Sequence, residues 1–191
     1  MPMLNELNFD PETHTYTVNG RRLMSVTQAL ALVDDRRINS SWYLDRGRLV
    51  HLACEYLDRD ELDEDTVAPE IRPYLEAYKK FREETSFKPD LIELRLSHLT
   101  YLYAGTLDRI GDLNGNHILI DLKSGAPARV DELQLAAYFE LARVNNIPVK
   151  KCFDLYLHDN GTYKLEPVEN VKLLLPTFLN VLGSARWKEG L

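Results

Sequence analysis

The sequence predicts an α/β fold: a central mixed β-sheet flanked by helices, in the order αβββαβ, with a hairpin and short helix ahead and a terminal helix behind. Three observations carry this. Apolar residues recur at helical spacing as far as Glu84, then alternate from Leu91. Asn114-Gly115 separates two strand-like runs, Tyr103 to Leu113 and His117 to Leu122, and Asn-Gly is a strong signal for a two-residue hairpin turn. Helical spacing returns over Asp131 to Asn145, followed by a strand-like run over Cys152 to Leu157.

Taken in order, His14 to Val18 and Arg21 to Met24 form a small hairpin about Asn19-Gly20. Ser25-Val26-Thr27-Gln28 has capping-box form and starts a short helix to about Val33. Asp34 to Asn39 is a charged connector, and Ser40 or Ser41 caps a longer helix to about Leu57. The six carboxylates of Asp58 to Asp65 read as a solvated loop. A third helix runs from Pro69 to Glu84, with Ile71, Leu75, Tyr78 and Phe81 on its apolar face. Leu91 to Leu96 is a strand. In the hairpin that follows, Ile118, Ile120 and Leu122 face the core. Leu133, Ala136, Ala137, Phe139 and Leu141 are the apolar positions of the helix after it. Cys152 to Leu157 and Tyr163 to Val168 flank Asn160-Gly161, and a terminal helix over Glu169 to Lys188 is kinked or split at Pro176.

With 191 residues, 45% of them hydrophobic, the chain reads as one domain: residues 1–40 as the extension, 41–168 as the core and 169–191 as the terminal helix. No apolar run is long enough to span a bilayer, and Met1 to Asp10 lacks a secretory pattern. Cys54 and Cys152 read as buried small hydrophobes in a reducing, cytoplasmic setting. The net charge of -7 argues against a broad basic surface. Positive charge gathers instead at Arg36-Arg37, Arg46, Arg48, Arg109, Lys123, Arg129 and Lys150-Lys151.

The chemistry concentrates around the Asn114-Gly115 hairpin. A two-residue turn there sets Asp108 opposite Asp121, and Lys123 points the same way as Asp121. Facing carboxylates repel, and a bound cation removes that cost. Magnesium takes hard oxygen ligands and often only one or two protein carboxylates, a role that suits Asp108 and Asp121, with the Leu122 carbonyl as a further oxygen. Lys123 stands beside the same water and phosphate; the alternative is a plain salt bridge. His51 and Glu55 share a helix face. His51 is either a nitrogen ligand, which manganese tolerates better than magnesium, or a hydrogen-bonded helix residue. Glu55 holds His51 or a helix partner. Glu93 either reaches the metal through water or pairs with an arginine. Gln134 and Tyr138 share a face of the helix after Lys123; Gln134 can orient water or touch the phosphate backbone, and Tyr138 either touches DNA or belongs to the core edge.

The order His51, Asp108, Asp121-x-Lys123, Gln134-x-x-x-Tyr138 resembles the PD-(D/E)XK nuclease superfamily, in its RecB-type exonuclease branch. Four local stretches carry the likeness: Gly47-Arg48-Leu49-Val50-His51, Tyr103 to Ile110, Ile120-Asp121-Leu122-Lys123-Ser124-Gly125, and Gln134-Leu135-Ala136-Ala137-Tyr138. The resemblance implies a restriction-endonuclease-like core and magnesium- or manganese-dependent cleavage of DNA phosphodiesters. It implies metal binding by Asp108 and Asp121, metal binding or its positioning by His51, and catalysis by Lys123, through water activation and phosphate stabilisation, with Gln134. Tyr138, Arg109, Arg48 and Ser124 become the candidate DNA contacts. The opening, with His14-x-Tyr16 and Ser25-Val26-Thr27, resembles small phage-encoded members and the mitochondrial genome maintenance exonuclease, which implies a free-standing exonuclease on DNA ends, single-stranded ones included, in replication, recombination or repair. Two cysteines cannot hold the four-cysteine iron–sulfur cluster of one branch. With no G-x-x-x-x-G-K-[ST] loop the chain carries no nucleotide cofactor, so any helicase or recombination partner is a separate protein. Two other readings stay open: a DNA-binding accessory module of the same fold that does not cut, and a structure-selective endonuclease.

Overall fold

A computed structural model describes residues 6–36 and 41–191. Strands β1 (Leu7–Asp10), β2 (Thr15–Val18) and β3 (Arg21–Ser25) lead into the short helix α1 (Val26–Leu30). Helices α2 (Ser41–Asp58) and α3 (Arg72–Thr85) come next, then strands β4 (Lys88–His98), β5 (Tyr103–Leu113) and β6 (Asn116–Lys123). Helix α4 (Arg129–Val144), strands β7 (Lys151–Leu157) and β8 (Tyr163–Val168), and helix α5 (Val171–Glu189) complete the chain. The eight strands form one mixed sheet in the order β1-β2-β3-β5-β6-β7-β8, with β4 paired to β5 off that path. β3 runs parallel to β5 and β6 parallel to β7; the other pairings are antiparallel. This is the αβββαβ core that the sequence predicts, and among the described residues no helix is long and apolar enough to cross a membrane.

Turn chemistry sets the hairpins. Asn114 and Gly115 both have positive φ (53° and 76°), as do Asn19 and Gly20 (51° and 75°), the backbone of the turns that match strand twist. The Ser25 cap forms as predicted: its hydroxyl accepts the Gln28 N–H at 3.0 Å, and the Gln28 side chain accepts the Ser25 N–H at 3.1 Å. The cap expected at Ser40 or Ser41, and Arg37, lie outside the described residues and side chains. β1 was not anticipated; it pairs antiparallel with β2. Pro176 does not split α5, which runs through it unbroken. It sits near the N-terminal end, where a missing N–H forfeits one backbone bond.

Two cores cover the sheet. Leu107, Ile110 and Leu119 pack with Leu135 and Leu141 of α4 and Phe178 of α5. On the opposite face Ile118, Ile120 and Leu122 pack with Val50 and Cys54 of α2 and Leu75, Tyr78 and Phe81 of α3. Cys54 and Cys152 are both buried and free. Alternation along β6 therefore turns Asp121 and Lys123 toward α4, while its even-numbered residues fill the α2–α3 core.

The acidic segment corrects the expectation of a purely solvated loop. The Asp58 side chain, at the end of α2, is wholly buried and accepts hydrogen bonds from Arg82 and Tyr78 of α3, each at 2.8 Å. It also receives Nε of Arg109 at 2.5 Å. Arg109 is itself fully buried, so it is not the surface DNA contact predicted for it. An arginine in a core is tolerated only against such partners.

Candidate active site

The site lies where the central hairpin forks. β4 occupies one edge of β5. The other edge pairs with β3 only at Tyr103 and Ala104 and with β6 only from Arg109 to Leu113, so it is open between Gly105 and Asp108. The hairpin register is the predicted one, but the ladder stops at Arg109↔Ile120, one step short of the two aspartates. The Asp108 side chain takes the place of the missing rung: its Oδ2 accepts the Leu122 N–H at 2.7 Å.

Three groups converge on this fork. His51 Nδ1 is 3.4 Å from Asp108 Oδ1, and its Nε2 is 3.0 Å from the Leu122 carbonyl. His51, Glu93 and Asp108 each offer a ligand atom within 4.8 Å of the others. Glu93 reaches the site because β4 bends at it; its φ is +51°, which a non-glycine residue rarely adopts, and it has no rung to β5. The arginine pairing weighed for Glu93 is present: Arg109 Nη1 donates to its Oε1 at 2.9 Å. Burial opposes charge on His51, but the carboxylates of Asp108, Glu93 and Asp121 outweigh it and raise the imidazole to about 9. Burial and the Asp108 charge push Glu93 up to about 7. Burial works against ionised Asp108 as well, yet the His51 charge holds its carboxyl below the usual range. A nitrogen and two crowded carboxylates, with a protonated imidazole among them, fit a divalent cation such as manganese or magnesium. With Nε2–H directed to Leu122, the Nδ1 lone pair of neutral His51 faces the carboxylates, the tautomer a metal ligand needs.

Beside this set stands a second one. Lys123 Nζ lies 2.6 Å from Asp121 Oδ2, 2.8 Å from Gln134 Oε1 and 3.4 Å from Asp131 Oδ1. Gln134 Nε2 donates back to Asp121 Oδ1 at 3.1 Å and to the Tyr138 hydroxyl at 3.2 Å. The shared helix face of Gln134 and Tyr138 does turn toward the strand ends. Burial raises Asp121 to about 6 despite Lys123. Burial disfavours charge on Lys123 too, but Asp121, Asp131 and Asp154 hold its pKa above the ordinary value, so it stays an ammonium. The salt bridge considered for Lys123 is present, and it places the cation beside the other site groups.

Several assignments change. Tyr138 is 4% exposed, with its ring against Gly105, so it packs at the core edge and is no surface for DNA. A Cβ on Gly105 would lie 2.6 Å from Tyr138 Cε1. Gly105→Ala is expected to destabilise the fold by about 1–3 kcal/mol and displace the Tyr138–Gln134 pair, read as a lower melting temperature with lower turnover. Glu55 holds a helix partner, Arg59 at 2.8 Å, and not His51. Arg48 is exposed on α2. Ser124 faces that helix at Gly47, and its carbonyl accepts from Arg46 at 2.8 Å.

Two buried acids escaped the sequence reading. Asp131 binds Lys123, Arg36 and the Tyr156 hydroxyl and caps the Ala128 N–H. Its place three residues after Ala128 marks it as a helix cap, but nothing local marks it as a partner of Lys123. Asp154 pairs in register with Asp121 across β6–β7, and burial raises it to about 8.

A family model of the PD-(D/E)XK nuclease superfamily matches residues 26–178, most of the chain. No curated protein sequence matches it. Solved structures that share its fold include two exonucleases. LHK-Exo, an alkaline exonuclease from Laribacter hongkongensis solved with dAMP, superposes with a TM-score of 0.51 at 13% identity over 87% of each chain. A provisionally assigned exonuclease from Eubacterium rectale gives 0.51 at 12% identity, over 85% of this chain and 82% of that one.

Proposed function

Because the chain belongs to the PD-(D/E)XK nuclease superfamily, we propose that it is a metal-dependent exonuclease that hydrolyses phosphodiester bonds at DNA ends. The observation that carries this reading is the adjacency of a ligand set, His51, Glu93 and Asp108, to a charged lysine held by Asp121 and Gln134. Magnesium or manganese bound there, with Asp121 as a further ligand, would supply Lewis-acid polarisation of the phosphate and an acidified water, while the Leu122 carbonyl is taken by His51 Nε2–H. Lys123 keeps its proton at neutral pH, so it serves as a fixed positive charge against the negative charge that builds on the phosphoryl oxygens, not as a base. Gln134 fixes that ammonium and the Asp121 carboxylate at once, and Tyr138 fixes Gln134. Arg48 and Ser124, on the α2 side of the fork, are the candidate contacts to the DNA backbone. The end-acting form rests on the likeness of the opening residues to small exonucleases of the branch. Such an activity suits replication, recombination or repair beside a separate motor protein.

Cleavage of labelled linear and circular DNA by the wild type, Asp121→Ala and Lys123→Ala tests the proposal. Metal-dependent cutting of linear DNA that disappears in both variants supports it. Cutting that survives in both removes these residues from the mechanism; equal cutting of circles makes the protein an endonuclease; binding without cutting makes it an accessory module.

Proton linkage gives an independent prediction. His51, at about 9, and Glu93, at about 7, must both lose their protons to bind a cation. Manganese affinity should therefore rise from pH 6 through pH 9 and level off above it. Calorimetric titration at pH 8 in buffers of different ionisation heat should show proton release. Affinity independent of pH over this range would contradict the ligand assignment.

A further inference from the structure

We infer that Arg109, anchored by Asp58, is a positioning residue for Glu93 and Asp108 and thereby sets the affinity of the cation site. The inference rests on the proposed reading of Glu93 and Asp108 as metal ligands. Its physical basis is a break in the sheet. The β4–β5 register passes from Ile92↔Arg109 to Leu94↔Leu107 with no rung at Glu93 and Asp108. Glu93 there has the left-handed φ of +51°. The pairs on either side keep the strands in register, and the gap falls at the two positions proposed to carry ligands.

Arg109 links these two positions with one nitrogen. Nη1 donates to Glu93 Oε1 at 2.9 Å and to the Asp108 main-chain carbonyl at 2.7 Å. That leaves the second oxygen of Glu93 for an ion. Nε is spent on Asp58, which Arg82 and Tyr78 hold from α3. The guanidinium is fully buried and cannot reach substrate. It thus transmits the α2–α3 packing to the ligand set through a rigid plane. A lysine keeps the charge but cannot grip Asp58 and Glu93 in this fork geometry.

The test measures manganese binding at pH 8 by calorimetry, together with melting temperature, for wild type, Arg109→Lys, Glu93→Gln and the double variant. Loss of an outer support typically weakens metal binding by about 10–100-fold, and each single change should fall in that range. Because Arg109 acts through Glu93 as well as Asp108, the double variant should lose clearly less than the product of the two single losses. In cleavage assays Arg109→Lys should raise the half-saturating manganese concentration far more than it lowers kcat. Should Arg109→Lys fold poorly, Asp58→Asn probes the same anchor and should also weaken manganese binding. If either folded variant melts earlier yet binds manganese like the wild type, Arg109 is purely structural and the inference falls. Multiplied losses in the double variant overturn it as well. If Glu93→Gln alone leaves manganese binding unchanged, the ligand assignment is wrong, and the inference goes with it.

Discussion

Lys123→Ala should lower kcat for DNA cleavage by about 10²–10³-fold at saturating metal, the range seen when a preorganised donor to a transition-state charge is removed. Lys123 sits 2.6 Å from Asp121 and is only partly exposed, so its charge acts where water screens little. Removing it should leave manganese binding intact or slightly stronger, since a competing cation disappears from Asp121. The diagnostic pattern is a large fall in kcat with little change in metal affinity, read by single-turnover cleavage and calorimetry on the same preparations. Asp108→Asn should give the opposite pattern. Its carboxylate belongs to the proposed ligand set and replaces a rung of the sheet, so manganese binding itself should be lost. Two variants that lose affinity and turnover in the same proportion would mean that the two clusters do not divide the labour in this way.

Asp58→Ala should destabilise the protein by about 3–5 kcal/mol, as expected when one member of a buried ion pair is removed and the other charge stays buried. Asp58 alone accepts Nε of Arg109, Nη1 of Arg82 and the Tyr78 hydroxyl. Its loss leaves a guanidinium with no exposure only Glu93 and the Asp108 carbonyl as partners, with Nη2 already lacking one. For a chain of this size the melting temperature should fall by on the order of 10 °C. Glu61→Ala, three residues on in the same acidic segment but exposed, should shift stability by no more than about 0.5 kcal/mol. Equal melting temperatures for the two variants would show that the buried pair contributes nothing.

The contrast between Asp58 and Glu61 shows where sequence reading stops. Six carboxylates in eight residues look alike in one dimension. Only one lies at the end of α2 within reach of a guanidinium fifty-one positions away. Arg109 followed the same logic in reverse: the resemblance makes it a DNA contact, and burial assigns it to the interior. Tyr138 was misplaced because Gly105, thirty-three positions earlier, leaves room for its ring. Glu93 kept two alternatives open; its pairing with Arg109 is present, and its left-handed backbone sets it beside His51 and Asp108.

By itself the sequence determined most of the elements, the hairpin register about Asn114-Gly115, the Ser25 cap, and the shared faces of Asp121 with Lys123 and of Gln134 with Tyr138. All of these follow from spacings within one element or across one tight turn, where backbone periodicity and turn stereochemistry leave little freedom. Only the tertiary structure decided that the ladder forks before Asp108, that Glu93 joins His51 and Asp108, that Asp131 partners Lys123, and that Asp58 and Arg109 brace the site from behind. Charges far apart in the chain choose partners by the shape of the space between packed helices and sheet. In a low-dielectric interior an unpaired charge is too costly to leave, so packing dictates the pairing, and local sequence holds no record of it.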